Sequence, residues 1–183
     1  MSRVILYHSS LSEASLSKIA GISRDSSTGP LVKDLLGWGH LSPLEFASLT
    51  YFVECPIFVA RQIMRHRTGK YMERSLRYTK AEDVFIPEGV GYSVECDVGR
   101  VVSDYYQLIA TEGFSPEDAR AILPMGTMTK FYAQYDLRNF LNLCKYRLTE
   151  DAQEETREVV EMMVHEMKDV YPSVYEYIQQ GEM

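Results

Sequence analysis

Alternation of apolar with polar or small residues predicts the strands of this chain. Residues 3–8 alternate and contain β-branched side chains, which predicts a short strand near the N-terminus. Residues 47–55 place large apolar side chains at every second position and predict a second strand. Residues 126–135 also alternate, and this segment is open to interpretation as a strand or as an extended helix.

Apolar residues at helical spacing dominate the rest of the chain. The predicted helices are residues 10–22, 30–39, 57–66, 97–112, 116–123, 136–148 and 150–170. In the second of these, Leu31, Leu35 and Trp38 are expected on one side of the helix. Pro172 is expected to end the last helix.

Two segments lack a helical period. Residues 67–75 contain Gly69 and are predicted as a loop, and residues 74–80 are predicted as a short extended segment. Helices therefore dominate over strands, and we find no internal repeat and no low-complexity linker. The sequence predicts an α+β fold: one helix-rich domain over residues 1–183 with a small, mainly antiparallel sheet.

Composition narrows the class of protein. The chain has 183 residues, 45% of them hydrophobic, which suits one domain with a substantial core. Asp and Glu outnumber Lys and Arg by 26 to 19, the opposite of the balance usual in general nucleic-acid binders. No apolar run reaches membrane-spanning length, and the N-terminus lacks the features of a signal peptide, so we expect a cytoplasmic protein.

Metal and disulfide chemistry are not indicated. The three cysteines are far apart and form no Cys-x-x-Cys pair, and the four histidines show no ligand spacing. We therefore predict no metal site. Cys144 lies in an apolar helical pattern and is expected in the core.

Cationic residues concentrate in one segment of this acidic chain. Residues 61–80 hold seven Lys and Arg side chains, opposed by one carboxylate, Glu73, whereas the net charge of the whole chain is −7. Guanidinium groups offer planar pairs of donors that match the oxygens of phosphate and carboxylate. The segment therefore indicates a site for a phosphorylated small molecule; a solvated basic surface is the alternative.

The basic segment also carries an ordered motif. It reads Arg-His-Arg, five residues, Glu, one residue, Ser, one residue, Arg, and the matching positions are Arg65, His66, Arg67, Glu73, Ser75 and Arg77. This motif resembles the signature of the flavin-dependent thymidylate synthases. Four further segments resemble the same family in the same order: Gly39 to Glu45, Pro56 to Gln62, Ala119 to Pro124 and Asp136 to Leu143.

The resemblance implies a reaction and an assembly. The family makes dTMP from dUMP, with methylenetetrahydrofolate as the carbon donor and with FAD, reduced by NADPH, as the source of hydride. It forms homotetramers, so this chain is expected to assemble as a homo-oligomer whose active sites draw residues from several subunits. No nucleic acid or membrane is expected as a partner.

The resemblance also implies roles for particular residues. Those implied in binding dUMP are Gln62, Arg65, Glu73, Ser75, Leu76, Arg77, Arg120 and Arg147. Those implied in binding FAD are His40, Ser42, Glu45, Arg65, His66, Arg67, Arg138 and Asn142, with His40 near the flavin and the folate. The residues implied in catalysis are Arg147, Arg65 and Glu73.

Residue chemistry agrees with several of these roles. Glu73, surrounded by arginines, can stay ionised and hold a guanidinium or a pyrimidine N–H. Ser75 offers a hydroxyl near Arg77 that suits a phosphate. Arg138 and Arg147 are nine residues apart, so at ~100° per residue they point in roughly opposite directions from one helix.

The chain departs from the family pattern at five positions: Lys70, Met72, Leu76, Asp136 and Asp151. Lys70 adds a positive charge near the expected site, available to a phosphate or in place of a polar contact to the base. Asp136 and Asp151 bring negative charge to the expected flavin region, where it would repel a diphosphate. Two alternatives therefore stay open: a paralogue that binds or modifies a related pyrimidine nucleotide, and a structural oligomerisation module.

Overall fold

Four strands form one antiparallel sheet in the computed structural model, which describes residues 1–181. The strands are β1 (Arg3–Ser9), β2 (Ser48–Pro56), β3 (Lys70–Glu73) and β4 (Met128–Asp136). They lie in the order β1-β2-β4-β3, and all three pairings are antiparallel. The first two predicted strands are confirmed, and the ambiguous segment 126–135 is a strand.

Eight α-helices lie within residues 1–181. They are α1 (Glu13–Gly21), α2 (Val32–Gly37), α3 (Ile57–Met64), α4 (Tyr92–Ala110), α5 (Pro116–Ala119), α6 (Leu137–Arg147), α7 (Glu154–Glu166) and α8 (Pro172–Gln179). Each predicted helix is present, most of them shorter than predicted. The sequence reasoning missed α8, because Pro172 begins a helix as its first residue as well as closing the preceding segment.

The prediction of a loop over residues 67–75 is wrong in part. Lys70–Glu73 forms β3, an edge strand whose Tyr71 lies opposite Ala133 of β4. Residues 74–80 are not extended, because the amides of Tyr78 and Thr79 both donate to the carbonyl of Ser75 and form a turn. This short edge strand forms because it pairs with β4, and not because of an alternating pattern of its own. The sequence of residues 70–73 therefore gave no local sign of a strand.

The core lies between one face of the sheet and helices α3, α6 and α7. Leu49, Tyr51 and Val53 of β2 are completely buried there, as their alternation predicted. Tyr51 stacks on Phe140 of α6, with ring centroids 5.6 Å apart. Cys144, on the same helix, is also buried, as predicted. This packing fixes the positions of α3 and α6, which carry four of the expected site residues: Gln62, Arg138, Asn142 and Arg147.

The predicted apolar side of the second helix is wrong. Leu31 and Trp38 are each 55% exposed, whereas Leu35 is buried together with Val32 and Leu36. Helix α2 has only six residues, and Leu31 and Trp38 are its two caps. Cap residues lie outside the regular turns of the helix, so the helical spacing that the prediction assumed does not apply to their side chains.

Most buried residues belong to one hydrophobic cluster that extends from β1 to α8. A smaller cluster, Ala81, Tyr105 and Ala119, joins α4 to α5. Residues 182–183 of the predicted domain lie outside the described residues, and the single domain over 1–183 stays a prediction. Across residues 1–181, every helix is too short or too polar to cross a membrane.

Candidate functional site

A groove of about 580 Å³ opens between α3, the end of β3 and the segment that follows α5. Four residues predicted to bind the substrate line it together: Glu73, Ser75, Leu76 and Arg120. We call this depression the first groove. These residues are up to 47 positions apart in the sequence, so the pairing of β3 with β4 and the packing of α5 bring them together.

Glu73, the last residue of β3, is held at the rim of the first groove by a buried threonine. Thr129 Oγ1 donates a hydrogen bond of 2.8 Å to Glu73 Oε1. Thr129 lies on β4 and is 1% exposed, so this donor has a fixed position. Within residues 1–181, the second carboxylate oxygen of Glu73 has no hydrogen-bond partner, and it is available to a ligand donor.

Arg74, between Glu73 and Ser75, fixes the backbone of this rim. Its amide donates to the carbonyl of Lys130, and its Nη2 donates to the carbonyl of Met128 at 2.7 Å. Its Nη1 lies 3.1 Å from Glu82, whose other oxygen pairs with Lys130 Nζ at 2.8 Å. The hydrogen bond from Lys130, with the charge of Arg74, lowers the pKa of Glu82. The sequence reasoning missed this structural role of Arg74.

Arg61, on α3, adds a cationic side chain to the first groove that the sequence reasoning did not single out. Its Nη1 approaches Met125 Sδ at 3.4 Å, and it pairs with no carboxylate within residues 1–181. Arg61 and Arg120 therefore give the groove a positive potential suited to a phosphate. The sequence signal for Arg61 was its position in the cationic segment 61–80.

A second groove of about 480 Å³ opens where the chain leaves α3 and passes α6. It brings together four of the residues predicted to bind FAD: Arg65, His66, Arg67 and Asn142. Arg147 lines the same groove. Arg65 and Arg67 are exposed, and the side chain of neither makes a hydrogen bond or an ion pair within residues 1–181. Two guanidinium groups without a carboxylate partner therefore lie beside Arg147, and their donors suit an anion.

His66 is the titratable group of the second groove whose environment favours the neutral form. Burial lowers the pKa of His66, the positive charge of Arg147 lowers it further, and a hydrogen bond with the Asn139 backbone opposes the shift. Its Nε2 lies 2.8 Å from Thr68 Oγ1. Because the unperturbed pKa is about 6.5, His66 is mostly neutral at pH 7.

Arg147 connects α6 to α3 at the second groove. Its Nη2 donates to the carbonyl of Gln62 at 3.0 Å, and the Gln62 side chain donates to Gln153, which precedes α7. Arg138, nine residues earlier, lines a separate depression of about 380 Å³ instead. The prediction that Arg138 and Arg147 face different sides of α6 is confirmed, and Asn142 lines both depressions.

The remaining predicted flavin residues lie near the 3₁₀ helix Ser42–Phe46. Glu45 Oε1 pairs with Arg138 Nη1 at 2.5 Å, and both side chains are about half exposed. His40 and Ser42 line a different depression, of about 290 Å³, together with Trp38. One chain therefore does not bring His40 and Ser42 into the second groove.

Arg77 does not line the first groove. Its guanidinium forms two contacts with Glu117 of α5, from Nε at 2.7 Å and from Nη2 at 3.1 Å. Gln62, Arg65 and Arg147, also predicted to bind the nucleotide, lie at or near the second groove. The predicted substrate residues are thus divided between two neighbouring grooves that both open along α3 and its continuation.

The departures from the family pattern have structural explanations at two positions. Asp136 is the N-cap of α6, and its Oδ1 accepts a hydrogen bond of 2.8 Å from the amide of Asn139. The positive end of the helix compensates its charge. Lys70 lies on the sheet face opposite the core and donates to Gln134 at 3.2 Å, and it lines neither groove. Asp151 is exposed in the turn before α7.

Sequence comparison relates the chain to proteins of known activity. The family described as thymidylate synthase complementing protein matches residues 3–173. A flavin-dependent thymidylate synthase of Thermosipho africanus is 30% identical over 179 residues, which cover 85% of this chain and 78% of that protein. Another, from Thermococcus onnurineus, is 35% identical over 145 residues, which cover 73% of this chain and 59% of that protein.

Structural comparison gives the same relationship. The crystal structure of a UMP/dUMP methylase, PolB from Streptomyces cacaoi bound with 5-Br dUMP, superposes with a TM-score of 0.85 and is 26% identical in sequence. The match covers 98% of this chain and 95% of that chain. The same methylase bound with 5-Br UMP superposes with a TM-score of 0.79 at 27% identity, over 98% of this chain and 94% of that chain.

The matched span includes every strand and both grooves, so the likeness covers the sheet and the residues around it. The match begins at the first residue of β1 and ends within α8. It also covers the Arg-His-Arg segment and the Glu73 rim. On these grounds the chain belongs to the thymidylate synthase complementing protein family.

Proposed function

We propose that this protein catalyses the flavin-dependent reductive methylation of dUMP to dTMP, with methylenetetrahydrofolate as carbon donor and NADPH as reductant. The observation that carries the proposal is the pair of cationic grooves along α3. The first groove holds Glu73, Ser75 and Arg120, and the second holds Arg65 and Arg67. Two adjacent anion-binding surfaces suit a reaction that brings a nucleotide and a dinucleotide cofactor together.

In this proposal the first groove binds dUMP. Arg120 and the hydroxyl of Ser75 bind the phosphate, because guanidinium and hydroxyl donors match its oxygens. The free oxygen of Glu73 accepts the N–H of the pyrimidine, and Thr129 holds the other oxygen. Fixing the base in this way would orient its reactive carbon toward the second groove.

The second groove has the donor set that FAD requires. The diphosphate of FAD carries negative charge. Arg65 and Arg67, which have no carboxylate partner within residues 1–181, are available to bind it. FAD, when bound, supplies the hydride that no protein side chain can supply. Arg147 links this groove to α3 through Gln62, so it would position both ligands. Arg65, Arg147 and Glu73 are the catalytic residues of this proposal.

A homotetramer is part of the proposal. Within one chain, His40 and Ser42 lie in a depression apart from the second groove, and Arg77 faces α5. A neighbouring subunit that brings its own residues to the open grooves would complete a site whose parts are separated in one chain. The cytoplasmic location expected from the sequence also belongs to this proposal.

A second candidate substrate is UMP. The similar methylase from Streptomyces cacaoi is described as acting on both UMP and dUMP, and its structures hold the 5-bromo derivative of each. A chain that resembles it over 98% of its length is a candidate for the same choice of nucleotides. The ribonucleotide differs only by its 2′-hydroxyl, so one groove can admit both.

An absorbance spectrum of the purified protein, followed by product analysis, tests these candidates. We expect a flavin spectrum, bleaching by NADPH, and 5-methylated product when methylenetetrahydrofolate and dUMP are added. Parallel reactions with UMP decide between the two nucleotides. Protein that is colourless and does not take up added FAD would contradict the proposal, as would bleaching without methylated product from either nucleotide.

A further inference from the structure

Glu117 contacts two of the arginines that the resemblance assigns to the nucleotide, Arg77 and Arg120. Its two carboxylate oxygens accept from Arg77 Nε at 2.7 Å and from Arg77 Nη2 at 3.1 Å. Its backbone carbonyl accepts from Arg120 Nε at 3.1 Å. Arg120 lines the first groove, so Glu117 and Arg77 lie directly beside it.

The carboxylate of Glu117 takes the edge of the Arg77 guanidinium that a phosphate would use. Carboxylate and phosphate oxygens bind the same pair of parallel N–H donors. Arg77 also lies over the ring of Tyr78, with its Cζ 5.5 Å from the ring centroid, so the guanidinium plane is held on a second side. In the free chain, Arg77 is therefore already paired with an internal anion.

We propose that Glu117 competes with the 5′-phosphate of the nucleotide for Arg77 and thereby sets how tightly the phosphate is recognised. The inference rests on the proposed function, and it adds Arg77, which the resemblance assigns to the nucleotide and which lies beside the first groove, as a further contact of the phosphate. It adds a residue, Glu117, that the resemblance to the family did not single out in this sequence.

The ion pair between Arg77 and Glu117 is weak enough for a phosphate to replace the carboxylate. The side chains of Arg77 and Glu117 are 49% and 45% exposed, and ion pairs at such sites are weak. A nucleotide phosphate carries about −1.5 to −2 charge at pH 7, against a single charge on the carboxylate. The phosphate can therefore displace Glu117, and the pair lowers nucleotide affinity by at most about five-fold.

Calorimetric titration of the holoenzyme with dUMP and with deoxyuridine tests this competition. We expect E117Q to bind dUMP about two to five times more tightly than the unmodified protein. Deoxyuridine, which lacks the phosphate, should bind both proteins equally. E112Q is the matched control, because Glu112 is exposed and its side chain makes no hydrogen bond or ion pair within residues 1–181. It removes the same charge five positions away and should leave both affinities unchanged.

A double-mutant comparison separates this competition from a general charge effect. In an R77Q background, E117Q should no longer change the affinity for dUMP, because the contested guanidinium is gone. If E117Q leaves dUMP binding unchanged or weakens it, Glu117 does not compete and the inference is overturned while the proposed function stands. If E112Q tightens binding equally, the effect is one of net charge, and the inference is again overturned. A holoenzyme that binds neither ligand would overturn the proposed function and this inference together.

Discussion

Thr129 holds Glu73 in place from the neighbouring strand, through a hydrogen bond of 2.8 Å between Thr129 Oγ1 and Glu73 Oε1. The relationship spans 56 positions of the sequence. It fixes one carboxylate oxygen and leaves the other to face the first groove. The carboxylate proposed to recognise the base therefore depends on a buried hydroxyl with no charge of its own.

Replacing Thr129 with valine keeps the shape of the side chain and removes this hydrogen bond. We expect T129V to raise the KM for dUMP by about 10- to 100-fold, because a hydrogen bond to a charged group contributes about 1.5–3 kcal/mol. T156V is the matched control, since Thr156 is buried in α7 and its hydroxyl has no hydrogen-bond partner among the described residues 1–181. Its KM should be unchanged. Equal KM values for T129V and the unmodified protein would remove Thr129 from the site.

Asp136 stabilises α6 as its N-cap, whatever it contributes to ligand binding. Truncation to alanine should lower the free energy of unfolding by about 0.5–2 kcal/mol, measured by denaturant titration. D136N keeps a side chain that can cap the helix, so its free energy of unfolding should fall by only a fraction of that amount. Asp151 provides the comparison, because it is exposed in a turn, and D151A should stay within about 0.5 kcal/mol. Unchanged stability in D136A would show that the capping contact contributes nothing.

Arg65 and Arg67 are expected to hold the flavin through its diphosphate. R65Q and R67Q should each weaken FAD binding by about 10- to 100-fold, because each removes a charge-assisted contact of about 1.5–3 kcal/mol. The measurement is the quenching of flavin fluorescence on titration of the apoprotein. R157Q is the control, since Arg157 lies on α7 and approaches Glu161 at 4.0 Å. A flavin affinity that survives both substitutions would place the diphosphate elsewhere.

His66 should titrate below its ordinary pKa of about 6.5. NMR of the imidazole protons over a pH series measures this midpoint directly. Burial is the largest cause and Arg147 a smaller one, so R147Q should raise the midpoint without restoring it to 6.5. Because the fold favours the neutral ring, its contribution to stability is complete above about pH 6.5 and falls as the pH drops through the lowered midpoint. A midpoint at or above 6.5 would contradict this environment.

Several features of the fold could be predicted because their signals are local. The alternation of Leu49, Tyr51 and Val53 predicted β2 and its buried face, and both were confirmed. The helix predicted from residue 116 begins there as α5, and Ser115 caps it. The spacing of Arg138 and Arg147 predicted that they face different sides of α6. Such signals survive in the sequence because the residues that interact are at most a few turns apart.

Other features were invisible because they depend on contacts between distant segments. Nothing near Lys70–Glu73 indicated a strand, since the ladder of β4 specifies it. The roles of Arg74 and Thr129 follow from the register of β3 against β4, and the pairing of Arg77 with Glu117 follows from the packing of α5. Lys70, expected near the site, lies instead on the outer face of the sheet.

The sequence by itself determined the family, the α+β class and the set of charged residues available for anionic ligands. The tertiary structure decided which of those charges are free and which are already paired, and into which groove each one opens. The reason is physical: residue type and spacing set what a side chain can bind, whereas its partners are chosen by strand register and helix packing. Those are settled by the burial of apolar surface across the whole chain.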